Sequence, residues 1–370
     1  MRIGIDAREL TLQPTGVGRL LAGVLEEWPA DDELVLYART PVPWRYLTPP
    51  RQARLLTGSS RLPGSVWEQS LFPLALRRDR VDALFCPAYS MPLALPCAAV
   101  VGLHDCASEA TPWEFGWRQR LRRRWTGRIA AVRARYILVG SRFAADQVRI
   151  WYGVRRSRIA VAPYGISSRF GPVPAQRIQE IRDRYKLARR TVLFVGSPLK
   201  RRNLEGLIEV VAALGRSRQD LSLCIAGPRQ LASERLRRRA AACGLGSRLR
   251  WLGYIDDDDL PALYAAATVA AYPSSYEGFG LPVLEALACG TPVVTSTAGS
   301  LGEIFKDRAW LVPPADRGAW SYALATLLDN PEARAESIAG AQSWACTRTW
   351  AAAARLLRQL LQSATESRPW

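Results

Sequence analysis

The sequence has a single histidine, no closely paired cysteines and no long hydrophobic run. Its seven cysteines are odd in number and widely spaced, without a C-x-x-C pair, so neither a disulfide framework nor a zinc site is indicated. The most apolar run, 261–273, is too short to span a bilayer, and the first residues lack the apolar stretch of a signal peptide. These absences predict a cytoplasmic protein and restrict membrane contact to the periphery of the inner face.

What the chain has in excess is positive charge. Its 370 residues carry 51 Lys and Arg against 33 Asp and Glu, which gives a net charge of +18. Such an excess indicates an anionic partner. The charge alone does not distinguish among a nucleotide, a nucleic acid and an acidic lipid surface. With 48% hydrophobic and 23% charged residues the composition is that of a globular protein, and the length predicts two domains.

Short β-rich runs alternate with helical patterns along the chain, which is typical of parallel sheets built from βαβ units in an α/β protein. Residues 163–175 contain three prolines and two glycines, so we predict domains at 1–170 and 171–348. A closing helix within 349–370 is expected to pack back on the N-terminal domain. Strands are predicted near 2–7, 33–38, 82–86, 98–103, 136–140, 159–162, 191–196, 221–227, 250–253, 268–272 and 292–296.

The densest functional signal lies in segment 275–295, where a Gly-Phe-Gly turn at 278–280 follows a predicted strand and opens a helix. Backbone N–H groups and the positive end of a helix bind anions such as phosphate. Glu277 precedes the turn and Glu285 lies on the helix, where a carboxylate accepts paired hydrogen bonds from vicinal hydroxyls such as those of a ribose. The alternative is a helix cap and a solvated acid, but the residues flanking Glu285 are apolar.

The run E-G-F-G-L-P-x-L-E followed by A-x-A-C-G-T-P-V-V resembles the signature of the retaining glycosyltransferases of family 4, which have the GT-B fold. The resemblance implies two Rossmann-like domains facing across a cleft. Within this family the sequence most resembles bacterial mannosyl- and rhamnosyltransferases, many of which use GDP-activated sugars such as GDP-mannose. Further matching segments are GIDAREL, TGVGR, LHD, VGSRFAAD, FVGSPLKRRN and LVPPAD, which together extend over most of the chain.

The resemblance also implies roles for individual residues. Glu285 corresponds to the glutamate that binds the ribose of the nucleotide, and Glu277 to the one that reaches hydroxyls of the donor sugar. Many relatives hold the diphosphate with an arginine and a lysine at the positions of Ser197 and Arg202. Here the first position is Ser197, which carries no charge, and the second is Arg202. The N–H donors of the Arg202 guanidinium suit a diphosphate. The other implied donor-binding residues are Gly16, Gly18, Gly278, Phe279, Gly280 and Leu281.

His104 follows the predicted strand 98–103, at the end of a strand where open α/β sheets bind ligands. Its position in Leu-His-Asp matches the family's histidine near the donor sugar. That match implies a catalytic role beside Glu277, through a hydrogen bond to the sugar or stabilisation of transition-state charge. An isolated histidine is more often structural, and for Asp105 a local hydrogen-bonding role is as well supported as a catalytic one.

Four consecutive aspartates at 256–259 resemble a metal-binding Asp-x-Asp element, because clustered carboxylates bind hard cations. The run also precedes a helical segment, where an acidic residue caps the first turn and interacts favourably with the helix dipole. We interpret it as a cap. GT-B enzymes generally need no metal, so the resemblance implies neither a metal nor another cofactor.

Residues 113–135 carry eight arginines among aromatic side chains, and a helix is predicted over 113–132. Basic helices with aromatic residues bind the interface of anionic membranes. An ordinary surface helix whose apolar residues enter the core is the equally weighted alternative.

The function predicted from these features is transfer of a hexose, of mannose or rhamnose type, with retained configuration. The donor is a nucleotide diphosphate sugar and the acceptor a saccharide or lipid-linked molecule in surface polysaccharide or glycolipid synthesis. One alternative is a sugar-nucleotide epimerase or a non-catalytic relative of the same fold. Another is a basic nucleic-acid-binding protein, but the chain has no zinc spacing, RNA-binding-domain motif or recognition-helix pattern, so no nucleic acid is expected.

Overall fold

Both halves of the chain form a β-sheet whose strands pair in parallel, as the alternation of strands and helices predicts. The structure is a computed structural model that describes residues 1–28, 32–43, 46–47, 51–55, 62–228 and 232–366. The chain divides into two units, the first formed by Met1–Gly165 and Thr349–Trp370 and the second by Ile166–Arg348.

The first unit contains a seven-stranded sheet in the order β3-β2-β1-β4-β5-β6-β7. The strand order reverses between β1 and β4, which creates a switch point at the carboxyl ends of these central strands. The strands are β1 (Arg2–Asp6), β2 (Glu33–Ala38), β3 (Arg51–Leu55), β4 (Ala83–Cys86), β5 (Ala98–Gly102), β6 (Tyr136–Val139) and β7 (Ile159–Val161). The helices up to β7 are α1 (Gly16–Glu26), α2 (Gly64–Gln69), α3 (Leu71–Arg78), α4 (Ala107–Ala110), α5 (Trp117–Arg133) and α6 (Arg142–Tyr152).

The second unit contains a six-stranded sheet in the order β10-β9-β8-β11-β12-β13, and its order reverses between β8 and β11. The strands are β8 (Arg190–Val195), β9 (Leu221–Ala226), β10 (Leu249–Gly253), β11 (Val269–Tyr272), β12 (Val293–Ser296) and β13 (Trp310–Val312). The helices are α7 (Ala175–Arg184), α8 (Leu204–Leu214), α9 (Ala232–Ala242), α10 (Leu260–Ala266), α11 (Leu281–Ala288), α12 (Ser300–Ile304), α13 (Arg317–Asp329), α14 (Pro331–Ile338) and α15 (Ala341–Cys346).

The structure departs from the sequence-based expectation at the edges of both sheets. Strand β3, Arg-Gln-Ala-Arg-Leu, has too little apolar character to be recognised, and β13 is only three residues long. Helix α5 begins at Trp117 and not at residue 113, so its predicted start is wrong. Pro112 opens a short 3-10 turn over Pro112–Glu114, and Gly116 then takes an extended conformation that caps α5.

The last helix, α16 (Ala351–Glu366), belongs to the first unit, where it packs against β4, β5 and α1. Arg358 on its partly exposed side donates from Nε to the buried Asp32 at 2.5 Å. Just before the helix, Trp350 fills the space beside Gly23, where a Cβ atom would lie 2.1 Å from the indole ring. Only glycine therefore fits in α1 at that point. Residues 367–370 of the predicted closing segment lie outside the described residues.

Candidate active site

The loops after β8 and β11 adjoin at the switch point of the second sheet. The backbone N–H and the hydroxyl of Ser275 both donate to the carbonyl oxygen of Arg201, at 2.7 and 3.0 Å. The β8 loop is closely packed as well, because a Cβ atom at Gly227 would lie 2.1 Å from the carbonyl oxygen of Gly196. These contacts fix two polar loops next to each other at the carboxyl edge of the sheet.

A buried ion pair between Arg202 and Glu277 joins the two loops. Arg202 Nε donates to Glu277 Oε1 at 3.0 Å, and Arg202 Nη1 donates to the carbonyl of Ser197 at 3.1 Å. The hydroxyls of Tyr272 and Ser274 also donate to Glu277 Oε1, at 3.0 and 3.1 Å. Burial alone would raise the pKa of Glu277, but the neighbouring arginine charges and these hydrogen bonds hold it below its usual value.

The same ion pair leaves two polar atoms available. Within the described part of the chain, all hydrogen bonds to the Glu277 carboxylate reach Oε1, and Arg202 Nη2 donates to no partner. The two side chains keep 11% and 15% exposure. The pair therefore offers one carboxylate oxygen to a hydroxyl and one guanidinium nitrogen to an anion, with both groups already oriented by the protein.

Helix α11 begins beside this pair at Gly280, whose φ of 102° favours glycine. A Cβ atom there would also lie 2.5 Å from Leu301 Cδ2. No side chain caps α11, so the positive end of its dipole acts at the edge of the sheet that carries Glu277. Phe279 is buried and Leu281, the first helical residue, is half-buried. The Gly-Phe-Gly turn thus forms the strand-to-helix turn that the sequence predicts.

Glu285, on α11, is 3% exposed and accepts a hydrogen bond at Oε2 from the hydroxyl of Tyr264 at 3.0 Å. Tyr264 is itself buried, and its carbonyl accepts from Thr291 Oγ1 at 2.7 Å. Sequence reasoning missed Tyr264, although a tyrosine within the apolar segment that becomes α10 is a usable signal, because a buried tyrosine hydroxyl needs a partner. Tyr264 orients the Glu285 carboxylate.

In the first unit, His104 follows β5 and is 9% exposed. Its Nε2 lies 2.5 Å from the carbonyl of Pro87, and its Nδ1 contacts the hydroxyl of Tyr164. A carbonyl only accepts, so Nε2 carries the proton and Nδ1 accepts from Tyr164. Burial lowers the pKa of His104, which the Pro87 hydrogen bond and the Asp105 charge only partly offset. His104 is therefore a neutral imidazole whose two nitrogens are held by protein groups.

A charged cluster that sequence reasoning missed lies after β1 in the same unit. Arg8 Nη2 donates to Asp6 at 2.5 Å and to Glu68 at 2.6 Å, and its guanidinium lies over the ring of Trp67. Glu68 also accepts from Ser90 Oγ at 2.6 Å, which ties the loop after β4 to the cluster. Asp6 and Arg8 belong to the GIDAREL segment, but their partner Glu68 is remote in sequence, so spacing gives no indication of it.

Gly16 and Gly18 open helix α1, whose cap is Thr15. A Cβ atom at Gly18 would lie 2.5 Å from the carbonyl oxygen of Glu9, so packing within the loop itself requires this glycine. A Cβ atom at Gly16 would meet nothing within 4 Å. Of the two glycines, Gly16 is the one with open space beside it.

The aspartate run has a role different from the predicted one. Asp259 occupies the position before α10, yet its side chain makes no capping hydrogen bond, so the prediction of a side-chain cap is wrong. Its carboxylate instead accepts from Arg184 at 2.6 Å and from Arg177, which joins α7 to α10. Asp257 lies 3.8 Å from Arg169. Among the described residues, no three His, Cys, Asp or Glu side chains are grouped so as to hold a metal ion.

Two family models match consecutive stretches of the chain. Residues 14–170 match the model described as Glycosyltransferase Family 4, and residues 177–344 match the model described as Glycosyl transferases group 1.

Curated relatives align with just over half of the chain. O-antigen chain mannosyltransferase B of Escherichia coli is 34% identical over 200 residues, which is 53% of this chain and 52% of that protein. The MMP alpha-(1->4)-mannosyltransferase of Mycolicibacterium hassiacum is 31% identical over 230 residues, 58% of this chain and 52% of that protein. The chain therefore spans about half the length of the curated relatives it matches.

Solved structures align over nearly the whole chain. HepE of Anabaena in complex with UDP and glucose superposes with a TM-score of 0.76 at 19% identity, covering 98% of this chain and 99% of that one. Sucrose-phosphate synthase from Thermosynechococcus elongatus gives 0.77 at 20% identity and covers 98% of both chains. At such identities the likeness shows the fold alone, and it confirms the predicted GT-B architecture of two Rossmann-like halves. The chain therefore consists of a Glycosyltransferase Family 4 domain followed by a Glycosyl transferases group 1 domain, and both belong to the glycosyltransferases.

Proposed function

We propose that this chain is a retaining hexosyltransferase that uses a nucleotide diphosphate sugar. The sugar is of mannose or rhamnose type, and the acceptor is a saccharide or a lipid-linked molecule in surface polysaccharide or glycolipid synthesis. The observation that carries the proposal is the buried Arg202–Glu277 pair, with one guanidinium nitrogen and one carboxylate oxygen left for a ligand. The mannosyltransferase relatives favour a mannose donor, and GDP-mannose is the first one to test.

The two available atoms suit the two halves of such a donor. Arg202 Nη2 and the N-terminal end of α11 stabilise the negative charge that builds up on the diphosphate as its bond to the anomeric carbon breaks. Glu277 Oε2 accepts a hydrogen bond from a sugar hydroxyl and fixes the ring. Glu285, oriented by Tyr264, accepts from the ribose hydroxyls.

Retention is proposed to follow a path on one face of the sugar. The acceptor oxygen bonds to the anomeric carbon on the face that the diphosphate leaves, and the departing phosphate oxygen takes the acceptor proton. No motif supplies a carboxylate nucleophile, and Glu277 Oε1 is already held by three donors. A fixed carboxylate of this kind is better suited to orienting the sugar than to attacking it.

A donor panel tests the proposal. The full chain is incubated with GDP-mannose, UDP-glucose or dTDP-rhamnose, with and without saccharide acceptors, and release of nucleoside diphosphate is measured. We expect release that depends on one donor and one acceptor, and a product of retained anomeric configuration by NMR. Conversion of the sugar nucleotide without an acceptor identifies an epimerase. Absence of turnover with every donor, despite nucleotide binding, identifies a non-catalytic relative.

Glu285→Ala is expected to weaken binding of the nucleoside diphosphate on the order of 10- to 100-fold, because hydrogen bonds to a charged group contribute about 1.5–3 kcal/mol. Tyr264→Phe removes one hydrogen bond to Glu285 and keeps the carboxylate, so a smaller loss of a few-fold is expected, with kcat less affected than KM. Titration calorimetry measures the nucleotide affinity of both variants, and steady-state kinetics give their kcat and KM. Tyr322→Phe, at a tyrosine that is 71% exposed, is the matched control. Unchanged affinity in Glu285→Ala would remove Glu285 from the nucleotide site.

Transfer is expected to persist in excess chelator, because Arg202 and α11 supply the positive charge that a metal provides in other enzymes. Asp257→Asn with Asp258→Asn is expected to leave kcat and KM within about two-fold. Asp258 is exposed and Asp257 half-buried, and each carboxylate lies 3.8 Å from Arg169, a distance at which an ion pair contributes little. The rate with and without EDTA is the measurement. A strict requirement for a divalent cation that the double variant loses would show that the aspartate run is a metal site.

A further inference from the structure

A stripe of exposed apolar side chains runs along α5. Trp117, Leu121, Trp125 and Val132 are 71%, 49%, 61% and 62% exposed, and we call these four residues the α5 stripe. At about 100° per residue they fall within an arc of roughly 80°. The buried residues of the helix, on a different side, are Gly127, Ala130 and Ala131. The alternative that the apolar residues of α5 enter the core therefore does not hold for the stripe. Exposed apolar side chains grouped on one face of a helix indicate a binding site.

The stripe lies in a region of one charge sign. Residues 115–145 contain nine arginines and no Asp or Glu. Arg124 pairs with Glu109 at 2.9 Å. Arg118, Arg122 and Arg128 are exposed and form no ion pair with any residue that the structure describes. By helical position Arg118 and Arg122 lie beside the stripe, and Arg128 lies within it. The exposed apolar side chains of α5 are therefore flanked by positive charges.

We propose that the α5 stripe inserts into the interface of an anionic lipid bilayer while Arg118, Arg122 and Arg128 contact lipid headgroups. Indole rings favour the headgroup level, and aliphatic side chains reach the acyl boundary. A second copy of the chain does not fit this face, because pairing it with itself would bring two sets of arginines together. A nucleic acid would satisfy the arginines but would leave Leu121 and Val132 exposed to water.

The connection of α5 to the sheet indicates which edge of the sheet would lie near the membrane. Strand β5 ends at Gly102, His104 follows, and the chain passes through α4 before it enters α5. Because α5 connects β5 to the parallel strand β6, Trp117 starts the helix from the carboxyl edge of the sheet. Bilayer contact at the α5 stripe would hold that edge close to the lipid headgroups, where a lipid-linked acceptor presents its sugar. No helix among the described residues is long and apolar enough to cross a membrane.

Co-sedimentation of the full chain with vesicles tests the proposal without any donor or acceptor, so its outcome does not depend on the proposed activity. The vesicles are phosphatidylcholine alone or with 30% phosphatidylglycerol, at low and high salt. Wild type is expected to bind only the anionic vesicles and to be released by salt, because the Debye length falls from ~30 Å at 0.01 M to ~3 Å at 1 M. Arg118→Glu, Arg122→Glu and Arg128→Glu together are expected to lower the partition coefficient by at least about 100-fold.

Two further variants locate the contact. Trp117→Ser with Trp125→Ser keeps every charge and is expected to lower partitioning by more than ten-fold, which a purely electrostatic surface would not show. Arg216→Glu, Arg237→Glu and Arg355→Glu change exposed arginines in the turn after α8, on α9 and on α16. Together they make the same change in net charge, and this variant is expected to bind like wild type. Circular dichroism melts confirm that each variant is folded.

Three results would overturn the proposal. The first is equal binding to neutral and anionic vesicles. The second is a concentration-dependent dimer in ultracentrifugation that the tryptophan variant abolishes, without vesicle binding. The third is binding to duplex DNA or tRNA that requires the same three arginines, again without vesicle binding.

Discussion

Glu277→Ala is expected to lower kcat on the order of 100- to 1000-fold while the affinity for the free nucleoside diphosphate changes far less. Glu277 Oε2 meets the sugar, not the nucleotide, and its contact strengthens as charge moves in the transition state. The substitution also leaves Arg202 Nε and the hydroxyls of Tyr272 and Ser274 without their shared acceptor. Arg202 keeps its hydrogen bond from Nη1 to the Ser197 carbonyl, which holds it near the position in which it meets the diphosphate. Steady-state kinetics and nucleotide titration on the same preparation separate the two effects.

The controls for this prediction separate chemistry from folding. Glu277→Gln keeps an oxygen that accepts from Tyr272 and Ser274 but removes the charge, so it is expected to melt closer to wild type and still lose most of kcat. Glu336→Ala, at an exposed glutamate on α14, is the neutral comparison. Near-normal kcat in a folded Glu277→Ala variant would show that Glu277 only holds the two loops together.

His104→Ala is expected to cost on the order of 100-fold in kcat, a scale typical of a positioned polar group at a reaction centre. The structure adds a stability cost, because the Pro87 carbonyl and the Tyr164 hydroxyl each lose a buried partner, at about 1–3 kcal/mol per group. His104→Gln can donate to Pro87 and accept from Tyr164, so it restores the fold without the imidazole. If His104→Gln recovers both stability and kcat, the imidazole positions the loop after β4 and does not act on the substrate.

The protonation state of His104 is directly measurable, because no other histidine contributes to the imidazole signals. Its pKa by NMR titration is expected below the ordinary value of 6.5. The unfolded chain takes up a proton near pH 6.5 while the folded chain does not, so the free energy of unfolding decreases as pH falls below that value. Titration of His104 at or above pH 6.5 would contradict the buried neutral form.

Much of the fold could be predicted because parallel strands covered on both faces are continuous apolar runs. The strand over Glu33–Ala38 was predicted at its observed bounds, whereas β3 was missed because Arg51 and Arg54 break its pattern. The turn before α11 was predictable because Gly280 stands where φ is positive and space is limiting.

The candidate site was predictable only where its residues are close in sequence. Glu277 and Glu285 were found together on either side of one turn. Their hydrogen-bond partners come from other elements, such as Arg202 in the β8 loop and Tyr264 in α10, and no local pattern reports such a contact. The same holds for Asp259, whose two arginine partners in α7 decide its role against the local capping pattern.

A crystal structure of the chain with a bound nucleoside diphosphate tests the proposed donor site. Ribose hydroxyls are expected within hydrogen-bonding distance of Glu285, and phosphate oxygens at Arg202 Nη2 and the first N–H groups of α11. Glu277 Oε2 is expected to remain open toward the position of the sugar. A nucleotide bound elsewhere, or a diphosphate that leaves Arg202 and the start of α11 without contact, would show that these residues do not form the donor site.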